Sequence, residues 1–246
     1  MNPKLIAAAA AAFAALAPGA ASAQDAHDRP WTLPGPIIVI DPYQANPVDW
    51  DQVATDRNVK AVIHRAYHGM TPDSRFVARA AAARAKGLRY GGYLLGKPGD
   101  PIRQADALIA VAAATGTKFL ALDIENLDPR LSMTLPDAVR FIERIHAKTG
   151  RYPALYVNYS TYQHLNANYG PGSVFAKTPL WIARFRNEVG AMNPRIWRDY
   201  TFWQFSSEIN CKPTTPRCLY RVPGTGRDMD VNIFNGSEAD LAALFD

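Results

Sequence analysis

Residues 118–125 read KFLALDIE, and the fold turns on how that run is read. Phe119 to Leu122 are apolar without a break, so a strand here is covered on both faces rather than one. A helix-like stretch, DPIRQADALIAVAAATG, precedes it and stops at Gly116. Another, TLPDAVRFIERIHAKTG, follows it, capped by Thr134 and ended by Gly150. A buried strand between two helices belongs to βαβ units, with right-handed crossovers and parallel pairing.

The same rhythm extends in both directions. The runs IIVID (37–41), AVIHRAY (61–67), YGGYLL (90–95), PALYVN (153–158), LWIARF (180–185), FWQFS (202–206) and DVNIF (230–234) raise the strand count to eight. Between them lie PVDWDQVATDR, DSRFVARAAAARAKG (capped by Asp73 or Ser74, ended by Gly87) and the weaker STYQHLNANY. Eight strands in this alternation favour a closed barrel over an open sheet. After residue 185 the helical period disappears. Residues 186–201 and 207–229 carry Pro194, Pro213, Pro216 and Pro223, so the second half of the barrel is expected to lack outer helices.

The chain begins MNPKLIAAAAAAFAALAPGAASAQ. One basic residue, an apolar run over 5–16 and the small-x-small ASA at 21–23 predict a signal peptide over 1–23. The apolar run falls short of the ~20 residues that span a bilayer. The polar, proline-bearing stretch 24–36 reads as a linker, and 37–246 as one catalytic domain. A periplasmic or secreted protein is expected, with no membrane attachment after cleavage and a monomeric state. Lys+Arg number 27 and Asp+Glu 22; losing Lys4 leaves 26 against 22, a net of +4. That excess suits an anionic polymer, but no basic block or aromatic-basic interleaving points to nucleic acid. The two cysteines, Cys211 and Cys218, predict a disulfide in an oxidising compartment, since zinc would need further ligands nearby.

In a parallel barrel, chemistry gathers at the C-terminal ends of strands. There stand Asp41, the pair Asp123 and Glu125, Asn158 and Gln204. Side chains alternate along a strand, so Asp123 and Glu125 point the same way, ~6–7 Å apart. With Leu122 and Ile124 facing the helices, both carboxylates face the barrel mouth. Two carboxylates in a partly desolvated mouth do not both ionise easily, and one becomes a proton donor beside an anion. Glycoside hydrolysis uses that division. Taken alone, Asp-x-Glu is more often a solvated strand end.

Five ordered pieces of the chain resemble the lysozymes of glycoside hydrolase family 25: VIDPYQANPVDW with Asp41, AVIHRAYHG with Arg65, RFVARAAAARAKGLRYGGY ending in Tyr93, LALDIEN, and the closing strands through DMDVNIF with Asp230. The resemblance implies a TIM-like barrel, an incomplete (β/α)5β3 with eight strands and about five outer helices. It implies an N-acetylmuramidase acting on peptidoglycan glycan strands, cutting the β-1,4 bond between N-acetylmuramic acid and N-acetylglucosamine with retention. Its four acids fall on Asp41, Asp123, Glu125 and Asp230, with Glu125 as general acid. Asp123 steadies the reacting centre, either attacking C1 or orienting the substrate's N-acetyl group. Asp230 starts its strand, so it reaches the mouth only if that strand runs antiparallel; Asp228 is its competitor. The chain departs from the family's Tyr-His-Phe after the third strand, reading Tyr93-Leu94-Leu95, and CKPTTPRC is an insertion.

Among the aromatics at strand ends, Tyr67 and Tyr93 are the expected glycan contacts, with Arg65, Asn158 and Gln204 as further substrate-binding candidates. Asn158 serves equally well as a helix cap. His64 and His68 lack metal-ligand spacing, and no G-x-S-x-G or phosphate loop occurs, so neither a metal nor a cofactor is expected. Two alternatives stand beside the muramidase: another N-acetylhexosamine glycosidase of chitinase-like design, and a silent wall-binding module.

Overall fold

A computed structural model describes residues 26–211 and 218–246; the signal-peptide expectation for 1–23 lies outside them. Eight strands close into a barrel: β1 (Ile38–Ile40), β2 (Val59–His68), β4 (Arg89–Leu95), β5 (Leu120–Ile124), β6 (Ala154–Asn158), β7 (Leu180–Ala183), β8 (Phe202–Ser206) and β9 (Val231–Phe234). The two-residue β3 (Thr71–Pro72) adds a short hairpin to β2. Parallel pairing runs from β1 through β8, with β1 beside β2. The last strand, β9, closes the ring and is antiparallel to both neighbours, β8 and β1.

The strand pattern explains the closure. Alternate residues build two separate cores. Ile37, Val39, Ala61, Ile63, Ala121 and Trp181 fill the barrel, while Ile38, Ile40, Val62, Leu122 and Ile182 face the outer layer. That layer holds α1 (Trp50–Val53), α2 (Phe76–Ala85), α3 (Pro101–Thr115), α4 (Leu135–Thr149) and α5 (Tyr159–Asn168). The expected stops are in place: Thr134 and Asn158 cap α4 and α5, and Gly116 and Gly150 end α3 and α4 in the left-handed conformation. At α2 the N-cap is Arg75, without a side-chain cap, and Asp73 instead accepts the Arg75 N–H at 3.0 Å in the preceding turn.

A sixth helix, α6 (Glu238–Phe245), was not expected from the sequence. Ser237 and Asp240 form a reciprocal capping box at its start. Its Leu241 and Phe245 enter the barrel's own core, and Phe245 stacks on Phe119 with centroids 4.6 Å apart. Thus α6 plugs the pole opposite the strand C-termini. Gly91 makes room for this plug, because a Cβ there would lie 2.7 Å from Phe119.

Residues 26–36 are not a free linker. Trp31 is buried and stacks on Phe205, with centroids 3.8 Å apart. Tyr200 donates its hydroxyl to the Ala26 carbonyl, and His27 pairs with Asp199 at 3.0 Å. The segment covers the β7–β8 side, where among the described residues no outer helix follows either strand. The composition suggested a linker, but one tryptophan supplies enough apolar area to hold the segment down. Cys211 and Cys218 form a disulfide. Among the described residues no helix is long and apolar enough to cross a membrane.

Candidate active site

Four of the strands that line the barrel with an apolar residue carry a polar or aromatic one two positions further toward the mouth. Val39 leads to Asp41, Ala121 to Asp123, Ala154 to Tyr156, and Phe202 to Gln204. On antiparallel β9 the order inverts, so Asn232 and Asp230 approach the same mouth from Phe234. The Asp230 carbonyl accepts the Asp41 N–H at 3.1 Å, which fixes the two acids side by side.

The mouth opens into a cleft of about 690 Å3, walled by Tyr43, Lys97, Glu125, Asn158, Phe185 and Glu208 among others. Below it lies a recess of about 30 Å3 enclosed by Asp41, Tyr93, Asp123, Glu125, Tyr156, Trp181, Gln204 and Asp230. All four expected acids therefore meet at one point. Asp228 stays at the rim, where it accepts from Asn46 Nδ2 at 2.8 Å, and Asp230 takes the inner place.

The floor is a chain of donors. Trp181 Nε1 donates to Asn232 Oδ1 at 2.6 Å, and Asn232 Nδ2 donates to Asp41. Gln204 Nε2 donates to both Asp41 oxygens, at 3.0 and 3.1 Å. The Tyr156 hydroxyl donates to Gln204 Oε1 at 2.7 Å. Gln204, expected as a substrate ligand, is instead committed to Asp41, although its edge borders the recess.

Burial dominates the electrostatics. It pushes Asp41 up to about 7, against the Asn232 and Gln204 hydrogen bonds, with the Glu125 charge adding to the rise. Asp123 is raised well above the usual carboxylate range by burial, then by Glu125, Asp41 and Asp230. Its Oδ1 is buried with no hydrogen-bond partner. Asp230 is likewise raised by burial, then by Asp41 and Glu125. Glu125 reaches the open cleft yet is also raised by desolvation between the cleft walls, partly offset by the Lys97 charge.

Two expected contacts are not brought to the cleft. Arg65 lies over the Tyr43 ring at 4.6 Å and faces Asp73 at 3.5 Å, so it supports the wall from behind. Tyr67 packs with the outer core. The β2–β4 register shifts between Arg65 and Tyr67, which breaks the alternation that would have turned Tyr67 inward. Tyr43 takes the aromatic place on the wall. Its loop is held by buried Arg79, which donates to the Tyr43 carbonyl at 3.0 Å and the Asn46 carbonyl at 2.6 Å. Arg79 also donates to His64 Nε2 at 3.1 Å, and His64 Nδ1 donates to the Arg65 carbonyl at 2.7 Å. Burial lowers the His64 pKa to about 4, so this histidine is a neutral strut. Asn158 caps α5 through Oδ1 and donates Nδ2 to the Glu125 carbonyl at 2.6 Å, so it both ends a strand and ties down the acid's backbone. Sequence reasoning passed over Asn232, Lys97, Phe185 and Glu208; only Asn232 carried a signal, its even spacing from Phe234.

Carboxylates gathered at the C-terminal mouth of a β/α barrel, beneath an open cleft, define a glycoside hydrolase. Comparison with known sequences agrees: residues 40–213 match the profile of the glycosyl hydrolases family 25, and the chain belongs to that family. It is 29% identical over 255 residues to an N,O-diacetylmuramidase of Arthroderma benhamiae, covering 98% of this chain and 97% of that one. It is 26% identical over 211 residues to lysozyme M1 of Streptomyces globisporus, covering 80% and 67% respectively. The crystal structure of a bacterial lysozyme from Streptomyces coelicolor superposes with a TM-score of 0.67 at 25% identity, covering 86% of this chain and 97% of that one.

Proposed function

We propose that the protein is an exported N-acetylmuramidase that hydrolyses the β-1,4 bond between N-acetylmuramic acid and N-acetylglucosamine in peptidoglycan. The observation that carries this reading is the convergence of Asp41, Asp123, Glu125 and Asp230 on one recess beneath an open cleft. The near full-length similarity to a diacetylmuramidase supports the choice of substrate. Lys4, the apolar run, ASA at 21–23 and the Cys211–Cys218 disulfide support export.

Of the four acids in the recess Glu125 is the most exposed to the cleft, and desolvation raises its pKa, which favours the proton-donor form. It protonates the glycosidic oxygen as the C1–O bond breaks, and then takes a proton from the incoming water. Asp123 sits deeper. A buried acceptor without a partner is costly unless the substrate supplies one. The acetamido N–H of the reacting sugar is a fitting donor to its bare Oδ1, and that contact favours the carboxylate form that burial opposes. This supports the option in which Asp123 orients the N-acetyl oxygen toward C1. Asp41 and Asp230 flank Asp123 in the same recess, and either one adds negative charge beside the positive centre once it has ionised.

Digestion of purified sacculi, with identification of the new reducing sugars, tests the reading. Muramic acid ends support it. Glucosamine ends point to another hexosaminidase, and no new ends point to a binding module.

A further inference from the structure

The cleft is acidic. Among the described residues lining it, Glu125, Glu208, Asp228 and Asp230 are carboxylates, and Lys97 is the one cation. Lys97 follows β4, two residues beyond Leu95. Its position is built rather than incidental. The preceding Gly96 donates its N–H to the Asp123 carbonyl at 2.9 Å, tying this turn to the strand that bears the acids. Glycine allows this close approach, since a Cβ would stand 2.9 Å from Ile124 Cδ1 and 3.2 Å from the Asp123 carbonyl oxygen, and neighbours would have to shift to admit it. Gln104, buried on α3, clamps the Lys97 backbone from both sides. It donates Nε2 to the Lys97 carbonyl at 2.8 Å and accepts the Lys97 N–H at 3.2 Å. The ammonium donates to the Leu131 carbonyl at 3.0 Å. That uses one of its three N–H groups. Among the described residues no carboxylate lies within ion-pair distance of it.

A half-buried ammonium with donors to spare, held in fixed register with the reacting centre, is a receptor for an anion on the substrate. Muramic acid differs from N-acetylglucosamine by a 3-O-lactyl arm. The arm ends in a carboxylate when bare, and when it carries a peptide stem the stem brings carboxylates of its own. Resting on the muramidase reading above, we propose that Lys97 is the specificity-determining residue of the cleft, receiving a carboxylate borne on the lactyl arm of the muramic residue. A compact ammonium suits a carboxylate whose approach varies, where a guanidinium fork would demand one geometry.

The test uses glycan strands stripped of stems and strands with stems intact, each with carboxylates free or converted to methylamides. The measurement is the ratio of kcat/KM for the free form to that for the blocked form. This ratio cancels any general effect of the Lys97 charge on the proton of Glu125. The unmodified protein should favour the free form about tenfold, as expected for one charge-assisted hydrogen bond. Lys97→Met should bring the ratio to near one, and Lys97→Arg should keep most of it. Loss on stripped strands assigns the lactyl carboxylate itself; loss on stem-bearing strands alone assigns a stem carboxylate. A ratio unchanged between the unmodified protein and Lys97→Met overturns the proposal while leaving the muramidase reading intact. An unmodified protein that cuts no strand at all overturns both.

Discussion

Asp41 offers a test that needs no substrate. Its carboxyl is buried and its pKa is pushed from 3.8 to about 7. The folded state therefore keeps a proton that the unfolded chain has released, and stability falls as pH rises from about 4 to about 7. A shift of roughly three units at 1.36 kcal/mol each makes this loss about 4 kcal/mol. Asp41→Asn abolishes the titration but brings its own cost. Gln204 Nε2 and Asn232 Nδ2 both donate to Asp41, and neither amide can turn freely. Tyr156 holds the Gln204 oxygen and Trp181 holds the Asn232 oxygen. The new amide must set its own NH2 against one of these donors, which costs about 1–3 kcal/mol at every pH. The two stability curves should therefore cross: the variant is weaker than the parent at pH 4 and about 1–3 kcal/mol stronger at pH 8. Urea unfolding across that range, with constant m-values, measures both. Parallel curves would refute the reasoning, since they would mean that Asp41 holds the same charge throughout.

Other perturbations bear on the chemistry and the fold. Glu125→Gln should lose at least ~100-fold in the release of reducing ends, as for a lost general acid; near-normal activity would remove Glu125 from that role. Trp31→Ala should cost about 3–5 kcal/mol in unfolding free energy, the range for a large buried aromatic. A loss below about 1 kcal/mol would show that residues 26–36 are only loosely tethered, because exposed sites cost within that range.

What the sequence made legible, and what it did not, follows from the reach of each signal. Apolar runs and helix stops are local, so the barrel and the ends of α3, α4 and α5 could be read directly. The four acids were legible because strand alternation carries Val39 to Asp41 and Ala121 to Asp123 on the same face. Tyr67 failed by that same rule, because the bulge beside it is a property of paired strands and leaves no mark in one of them. Arg65 was misjudged because its partners, Tyr43 and Asp73, come from other elements. The plug α6 carried a capping box, Ser237 with Asp240, yet its burial depends on the hole left by Gly91 far away in sequence. Residues 26–36 read as polar, and only the surface left bare beside β7 and β8 turns Trp31 into an anchor.

The reversal of β9 has an architectural consequence. In a parallel barrel, every connection leaving the mouth must travel the full height of the wall before the next strand can begin. Because β8 and β9 form an antiparallel pair, the segment 207–229 leaves the mouth and returns to it. Its length is therefore free of the barrel's dimensions, and it behaves as a hairpin loop attached to a rigid stem. Ser207, Glu208, Ile209 and Asp228 sit on it at the cleft, and the Cys211–Cys218 disulfide closes a small loop within it. Residues can be added, removed or exchanged there to suit a different polymer without renegotiating a strand crossover.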